Sequence, residues 1–140
     1  MKVFVATKVP SRAPSGQAER TQTAQAVRQM FQDNGHEVFL AYWELEKRGI
    51  SDPRQFMPLV REQIRHSDLV VILYDAELRG GLIEEGIAYA EGVPVWLAHR
   101  GGERVSSSAL GCAEAIIEYR DLPGLVQRLA QQLQEGKGKK

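Results

Sequence analysis

The runs Asp68-Leu69-Val70-Val71-Ile72-Leu73-Tyr74 and Gly80-Gly81-Leu82-Ile83-Glu84-Glu85-Gly86-Ile87-Ala88 decide the fold. The first is typical of a strand buried on both faces of a parallel sheet, and the second predicts a glycine-rich loop followed by a helix over 82–91. In an open α/β sheet such a junction faces the ligand crevice. We expect Glu84 in the first helical turn, where the helix dipole holds a carboxylate ionised. It can act there as a nucleophile, or it can simply complement the helix terminus.

The rest of the chain repeats this alternation of strand and helix. Apolar runs predict further strands at 3–6, 37–40, 93–98 and 115–119. Apolar residues at helical spacing precede Asn34-Gly35, and Asp52 and Asp121 are suited to cap two later helices. Residues 41–51 have no such signal and are interpreted as a connection. Because Gly86 and Ala88 are small, we expect the helix after the third strand to pack closely on the sheet.

The pattern predicts an α/β fold: a single-domain, three-layer sandwich with a five-stranded, parallel, doubly wound sheet of flavodoxin-like or Rossmann-like type. No GxGxxG follows the first strand, and no GxxxxGK[ST] occurs. The usual fingerprints of dinucleotide and P-loop sites are therefore absent.

Composition narrows the class of function. A chain of 140 residues suits one domain, which we place at 1–135, followed by a disordered basic tail at 136–140. The tail could instead be a phosphate-binding arm. Because 18 basic residues balance 18 acidic ones, no overall field favours nucleic acid. No apolar run approaches membrane-spanning length, and Cys112 is the single cysteine. We expect a cytoplasmic protein without a metal or other cofactor.

Five segments, taken in order, resemble the nucleoside 2-deoxyribosyltransferase-like family, which includes nucleoside 5′-monophosphate N-glycosidases. They are Val3-Phe4-Val5-Ala6, Asn34-Gly35-His36-Glu37-Val38, Ser67-Asp68-Leu69-Val70-Val71, Gly80 to Ala88, and Gly92-Val93-Pro94-Val95. The sharpest match is Glu-x-Gly-x-Ala at Glu84, Gly86 and Ala88. In this family the matching glutamate attacks the anomeric carbon of the sugar and displaces the base. The resemblance therefore implies that Glu84 is the nucleophile.

The chain departs from the family at three positions that usually help to hold the sugar or move a proton. Gly81 stands where related enzymes often have threonine, and Leu78 and Val60 stand where many have aspartate. Asp75 or Glu77 could substitute. Asp75 is the better candidate for a catalytic acid because it ends the third strand, although it could equally be a solvated turn residue. We expect Glu85, where the family has an apolar residue, to face solvent or a subunit contact.

The resemblance also implies the residues that bind substrate. The loop after the first strand offers hydroxyl, guanidinium and backbone groups for a phosphate, unless it is an ordinary surface loop. Ser107 matches a serine that reaches the phosphate of a neighbouring subunit, although a serine-rich turn would look the same. Tyr42 and Trp43 could stack on a base, or they could pack in the core or at a dimer interface. The predicted substrate-binding set is Ala6, Ser11, Arg12, Ser15, Gly16, Tyr42, Trp43, Gly80, Gly81, Gly86 and Ser107.

The leading hypothesis is cleavage of the N-glycosidic bond of a nucleoside 5′-monophosphate or nucleoside, by hydrolysis or transfer. It implies a small-molecule substrate and a homodimer with a shared active site. One alternative is a nucleotide-binding or interaction module that has lost catalysis. Another is a TIR-like domain that cleaves NAD.

Overall fold

The computed structural model describes residues 1–7, 17–76 and 78–137. Within them, helices and strands alternate along the chain as the sequence predicts. The strands are β1 (Lys2–Ala6), β2 (Glu37–Leu40), β3 (Leu69–Leu73), β4 (Val95–Arg100) and β5 (Ala115–Tyr119). The helices are α1 (Gln17–Asp33), α2 (Ala41–Lys47), α3 (Pro53–Arg65), α4 (Gly80–Ala90), α5 (Ser107–Gly111) and α6 (Leu122–Lys137).

The five strands form one parallel sheet in the order β2-β1-β3-β4-β5. Val3 of β1 pairs with Val38 on one side and with Leu69 on the other. The chain therefore winds outward in one direction from β1 to β2 and in the other from β1 through β3 to β5. Between β1 and β3 the winding reverses, and in such sheets ligands bind at this point, beyond the carboxyl ends of the strands. The predicted doubly wound fold is confirmed.

Helices cover both faces of the sheet. One core contains side chains of α1 and α6, among them Phe31 and Leu129, and the other contains side chains of α3 and α4, among them Ile64 and Ala88. All five residues of β3 are buried, which explains why this strand reads as a continuous apolar run. On β5 burial alternates, and Ile116 is 48% exposed on the face that α6 does not cover.

Local sequence signals account for some helix boundaries and not for others. Asp52 accepts a hydrogen bond from the Arg54 N–H (3.0 Å), and Asp121 accepts one from the Gly124 N–H (2.8 Å), so both predicted caps are confirmed. The connection expected at 41–51 is wrong in its first part, because α2 occupies it. This short helix follows Leu40, whose side chain makes no capping hydrogen bond, so the usual start signal is missing.

Two helix boundaries, the start of α4 and the end of α6, differ from the sequence prediction. Helix α4 begins at Gly80, two residues before the expected start. The sequence prediction placed Gly80 and Gly81 in a loop because glycine is a poor helix former. Helix α6 continues to Lys137, and residues 138–140 lie outside the described part of the chain. None of the helices in the described ranges combines the length and apolar character needed to cross a membrane.

Candidate active site

Glu84 lies in the second turn of α4, not in the first turn as predicted, because the helix starts earlier. Side chains in a helix lean toward its N-terminus, and the Glu84 carboxyl accordingly turns back toward Gly80. Its Oε1 would be 4.0 Å from a Cβ placed on Gly80. The side chain is half-buried, and Oε2 is shielded from solvent without a hydrogen-bond partner. Burial raises the pKa of Glu84 to about 8.

The neighbouring Glu85 is not at the surface, and the prediction that it faces solvent or a subunit contact is wrong. Its side chain is 2% exposed, and its Oε2 also has no hydrogen-bond partner. The reason is helical spacing: Gly81, Glu85 and Ala88 are four and three residues apart, so they share the buried face of α4. This face packs beside α3, and burial raises the pKa of Glu85 to about 7.

Leu78 and Gly81, two of the departures from the family pattern, form one packing unit. Leu78 is fully buried in the core beneath α3 and α4, and its N–H donates to the Asp75 carbonyl (2.9 Å) in the turn before the helix. A Cβ on Gly81 would lie 2.7 Å from Leu78 Cδ1. Leu78 therefore occupies the space that a side chain at position 81 would need. Position 78 belongs to the core in this chain, so it does not present a polar group to substrate.

A cavity of about 130 Å³ opens at the carboxyl ends of the strands, on the side covered by α1. Thr7 after β1 and Tyr74 after β3 both line it, so it includes the point where the winding of the sheet reverses. Thr23 of α1 and Tyr119 at the end of β5 add hydroxyl groups. Glu84 does not line this cavity. The cavity and Glu84 both lie at the carboxyl end of β3, but on opposite faces of the sheet.

Charged side chains surround the same cavity. Asp75 accepts a hydrogen bond from Arg20 Nε of α1 (3.1 Å), and both side chains are half-buried. Arg100 at the end of β4 pairs with Glu19, and its guanidinium lies 5.6 Å from the centroid of the Tyr119 ring. The structure thus places Asp75 in the crevice, as expected, in an ion pair with a residue of α1.

Glu103 is a further carboxyl group in the cavity wall. It follows β4, and its N–H donates to the Arg100 carbonyl (3.2 Å). Its Oε1 is buried and has no hydrogen-bond partner among the described residues. Burial, and after it the negative charge of Asp75, raises the pKa of Glu103, while the Arg100 backbone and nearby positive charges oppose this shift.

The sequence prediction missed Arg20, Arg100, Glu103 and Tyr119. Arg100 and Tyr119 end strands β4 and β5, so their position at the crevice was accessible to sequence reasoning. The prediction ended the fourth strand at residue 98, two residues before Arg100. Glu103 follows in the next loop, where no local pattern distinguishes it. Arg20 carries no signal because its partner lies 55 positions away.

The aromatic pair lies away from the cavity. Both residues belong to α2, and Trp43 packs against the core beside α1. The Arg28 guanidinium lies 4.9 Å from the Trp43 ring centroid. Neither ring lines the cavity between β1 and β3, so the structure favours the packing role for Trp43.

The structure also locates four of the other predicted binding residues. Ala6 is buried at the end of β1, and Gly80 lies beside the Glu84 carboxyl. Gly86 is exposed on α4, and a Cβ there would meet nothing within 4 Å, so the expected close packing of Gly86 on the sheet is wrong, whereas Ala88 is fully buried. Ser107 is exposed as the first residue of α5. The following predicted residues lie outside the described part of the chain: Ser11, Arg12, Ser15 and Gly16.

Within the described ranges, no group of three or more histidine, cysteine, aspartate or glutamate side chains is arranged to hold a metal ion.

The chain has the doubly wound fold of several solved structures. The CMP N-glycosidase BcmB of Clostridium botulinum superposes with a TM-score of 0.75 at 19% identity, over 94% of this chain and 99% of BcmB. A 2-deoxyribosyltransferase of Bacillus psychrosaccharolyticus gives 0.68 at 19% identity over 88% of each chain, and BlsM gives 0.70 at 21% identity over 97% of this chain and 93% of BlsM. No protein-family model matches the chain, and neither does any curated protein. The fold implied by the resemblance to deoxyribosyltransferases and N-glycosidases is confirmed.

Proposed function

We propose that the protein cleaves the N-glycosidic bond of a nucleoside 5′-monophosphate or nucleoside, with Glu84 as the nucleophile. The observation that carries this proposal is the Glu84 carboxyl, which lies over the bare α-carbon of Gly80 at the carboxyl edge of the sheet. One of its oxygens is buried without a partner. The fold shared with an N-glycosidase and a deoxyribosyltransferase supports the same reaction class.

The chemistry requires an ionised Glu84. One carboxylate oxygen forms a bond to the anomeric carbon while the carbon–nitrogen bond breaks, and the base leaves with the electron pair and takes up a proton. Water then attacks the anomeric carbon of the glycosyl ester, breaks its bond to the carboxylate oxygen and releases the free carboxylate, the sugar and a proton, which balances the proton taken up by the base. If a second base attacks instead, the outcome is transfer. Because Gly80 has no side chain, the sugar can approach Glu84 closely.

Asp75 is the candidate for moving the proton to the departing base. It lines the crevice at the end of β3, and Arg20 at 3.1 Å fixes its carboxyl position. Since the ion pair with Arg20 favours the carboxylate form, Asp75 would take the proton from the attacking water and pass it to the leaving nitrogen of the next substrate, directly or through one water molecule. Asp75→Asn should therefore lower kcat more than it raises KM.

Assembly into a homodimer forms part of the proposal. Helix α4 exposes two large apolar side chains, Ile83 (59%) and Tyr89 (63%), and Gly86 lies between them on the outer surface. A second copy covering this surface would remove apolar area from water. The loop residues at 11, 12, 15 and 16, together with Ser107 of the second copy, would then bind a 5′-phosphate. Light scattering of wild type and Tyr89→Glu tests this step, since a charge there should favour monomer.

The experiment that tests the function is a chromatographic screen for free base. Wild type, Glu84→Gln and Glu85→Gln are incubated with nucleoside 5′-monophosphates, nucleosides and NAD. Glu85→Gln is the matched control because it removes an adjacent buried carboxyl that faces α3. We expect release by wild type and by Glu85→Gln, and none by Glu84→Gln. Equal release by all three variants would contradict the nucleophile assignment.

A binding module without catalysis is the second candidate. It is favoured by the burial of Leu78, which leaves position 78 without a polar group for the sugar. Nucleotide binding by wild type with no base released from any substrate would support it. Release of nicotinamide from NAD alone would favour the TIR-like alternative.

A further inference from the structure

A second cavity lies between α1 and α2, at the edge of the sheet that β2 forms. Its volume is about 350 Å³, which is within the range of small-molecule sites. An engineered cavity of about 150 Å³ holds benzene, so this cavity has room for a body of two fused rings. It shares no lining residue with the cavity at the carboxyl ends of the strands. The two cavities are therefore separate.

The floor of this second cavity is apolar. It consists of Val38 and Leu40 of β2 and Trp43 of α2, which pack on the same core as α1. Leu40 is buried, whereas Val38 and Trp43 are only half-buried. In the described part of the chain β2 is the last strand on its side of the sheet, so no further strand covers this floor. An apolar ligand that covers it would remove apolar surface from water.

Arg28 of α1 supplies a positive charge beside this floor. Its side chain is half-buried, and its guanidinium lies 4.9 Å from the centroid of the Trp43 ring, where a cation–π interaction holds it. Among the described residues, no carboxylate lies within ion-pair distance of Arg28. A guanidinium carries a planar fork of N–H donors, which matches the two oxygens of a carboxylate or phosphate. Arg28 is therefore held in place with its donors available to an anion.

The other charged side chains that line the cavity favour an anion as well. Lys47 is exposed and, within the described ranges, also lacks an ion pair. Glu44 is paired with Arg48 at 3.6 Å. Burial, and after it the neighbouring Glu46, raises the pKa of Tyr42, which places this second carboxylate beside the Tyr42 hydroxyl. Each carboxylate thus has a neighbour on α2, while the two cations are left for a ligand.

We propose that this cavity binds a small aromatic acid, with its ring on Val38, Leu40 and Trp43 and its acidic group on Arg28. The inference goes beyond the proposed function, because neither Glu84 nor the cavity at the strand ends takes part. Trp43 contributes twice: its ring forms part of the apolar floor and fixes the cation that recognises the acid. A carboxylate and a phosphate offer the same oxygen pair to a guanidinium, so both are tested.

The test uses calorimetry on the full-length protein with 2-naphthoate, 2-naphthyl phosphate and the neutral 2-naphthamide. We expect 2-naphthoate to bind with a Kd of about 1 mM or lower. At least one of the two anions should bind about tenfold or more tightly than the amide, and the tighter one identifies the acidic group. Arg28→Gln should weaken that anion by roughly tenfold and change the affinity for the amide by less than about threefold. Arg61→Gln, on an exposed part of α3 across the sheet, is the matched control and should change neither affinity.

The two tryptophans of the chain provide a second measurement that locates the ligand. Trp96 is 8% exposed and lies in the core, whereas Trp43 lines the cavity. In an NMR titration with 2-naphthoate, the indole N–H signal of Trp43 should shift and that of Trp96 should stay in place. Trp43→Phe assigns the two signals because it removes one of them. A shift confined to Trp96, or no shift in either signal, would place the ligand elsewhere and overturn the proposal.

The remaining outcomes separate this inference from the proposed function. Equal affinity for the anions and the amide, no binding at about 10 mM, or an anion preference that survives Arg28→Gln would overturn the acid site. Thermal unfolding shows whether Arg28→Gln is folded, and the comparison of acid with amide in wild type tests the proposal even if it is not. Base release without binding of any aromatic acid would overturn the inference alone. Binding that depends on Arg28, without base release from any nucleotide, would sustain it and overturn the catalytic proposal.

Discussion

Replacing Gly81 by alanine should destabilise the protein, although alanine is the better helix former. The new Cβ would lie 2.7, 2.8 and 2.9 Å from Leu78 Cδ1, Cδ2 and Cγ, whereas ordinary contacts begin near 3.4 Å. Leu78 is 1% exposed, so it is enclosed by the core and cannot move aside without displacing other core side chains. Overpacking of this kind costs about 1–3 kcal/mol, and the gain in helix propensity offsets less than about 1 kcal/mol. We expect a net loss of about 1–2 kcal/mol.

Gly86→Ala is the matched control, since it makes the same change in the same helix. A Cβ at position 86 meets nothing within 4 Å, so this variant should be more stable than wild type by about 0.5–1 kcal/mol. Urea unfolding followed by tryptophan fluorescence measures both variants. Repeating it at two protein concentrations reveals any contribution from subunit association. If Gly81→Ala proved as stable as Gly86→Ala, the packing argument would be refuted.

A double-mutant cycle makes the test quantitative. Leu78→Ala alone should cost about 2–5 kcal/mol because it leaves a cavity. In the combined Leu78→Ala/Gly81→Ala protein, the new methyl group enters that cavity and no longer clashes. The double variant should therefore be more stable than the sum of the single effects, by a coupling of about 1–2 kcal/mol. Strict additivity would show that the two positions do not share space.

Three further predictions concern the carboxyl groups of α4. Gly80→Ala should retain the fold, because its Cβ meets only Glu84 Oε1 at 4.0 Å. Its kcat/KM for base release should fall about tenfold or more, because the methyl group hinders the approach of the sugar to Glu84. In a pH profile of wild-type kcat/KM, the rate should rise with pH and level off above about 8, since burial raises the pKa of Glu84 to about 8 and only the ionised form attacks. Burial also raises the pKa of Glu85 from 4.5 to about 7, so between these pH values the folded state retains a proton that the unfolded chain loses. The free energy of unfolding should therefore fall as the pH rises from about 4.5 to 7, by up to about 3 kcal/mol. Glu85→Gln should remove that part of the slope in urea unfolding, and an unchanged slope would contradict the burial argument.

The fold could be predicted because its strongest signals are local. The run at 69–73 is apolar at every position, which only a strand covered on both faces requires, and Asp52 followed by Pro53 is a strong helix start. Helix α2 was not predicted because Leu40, the residue before it, has no side chain that could cap a helix. The sequence pattern also could not show that Gly80 and Gly81 are helical, since glycine is usually a helix breaker and only the contact with Leu78 requires it at position 81.

The candidate site could be predicted only in part. Glu84 remains a candidate proposed from its motif. The burial of Glu85 depends on how α4 is rotated against α3, and sequence alone does not show that rotation. The ion pair between Arg20 and Asp75 joins residues 55 positions apart, so no local pattern encodes it. The same applies to Glu103, because only the folded structure shows that it lines the cavity.

The position of β1 within the sheet has a consequence for how the chain folds. This strand is paired on both sides, yet its contact with the β3 region, such as the hydrogen bond from Lys2 N–H to Asp68, spans 66 positions. Contacts between distant positions form slowly, because the loop between them must first be closed. During synthesis β1 can pair with β2 long before β3 emerges, and the opposite edge of β1 stays unpaired until then. We therefore expect docking of β3 against β1 to be the step that commits the chain to its native topology.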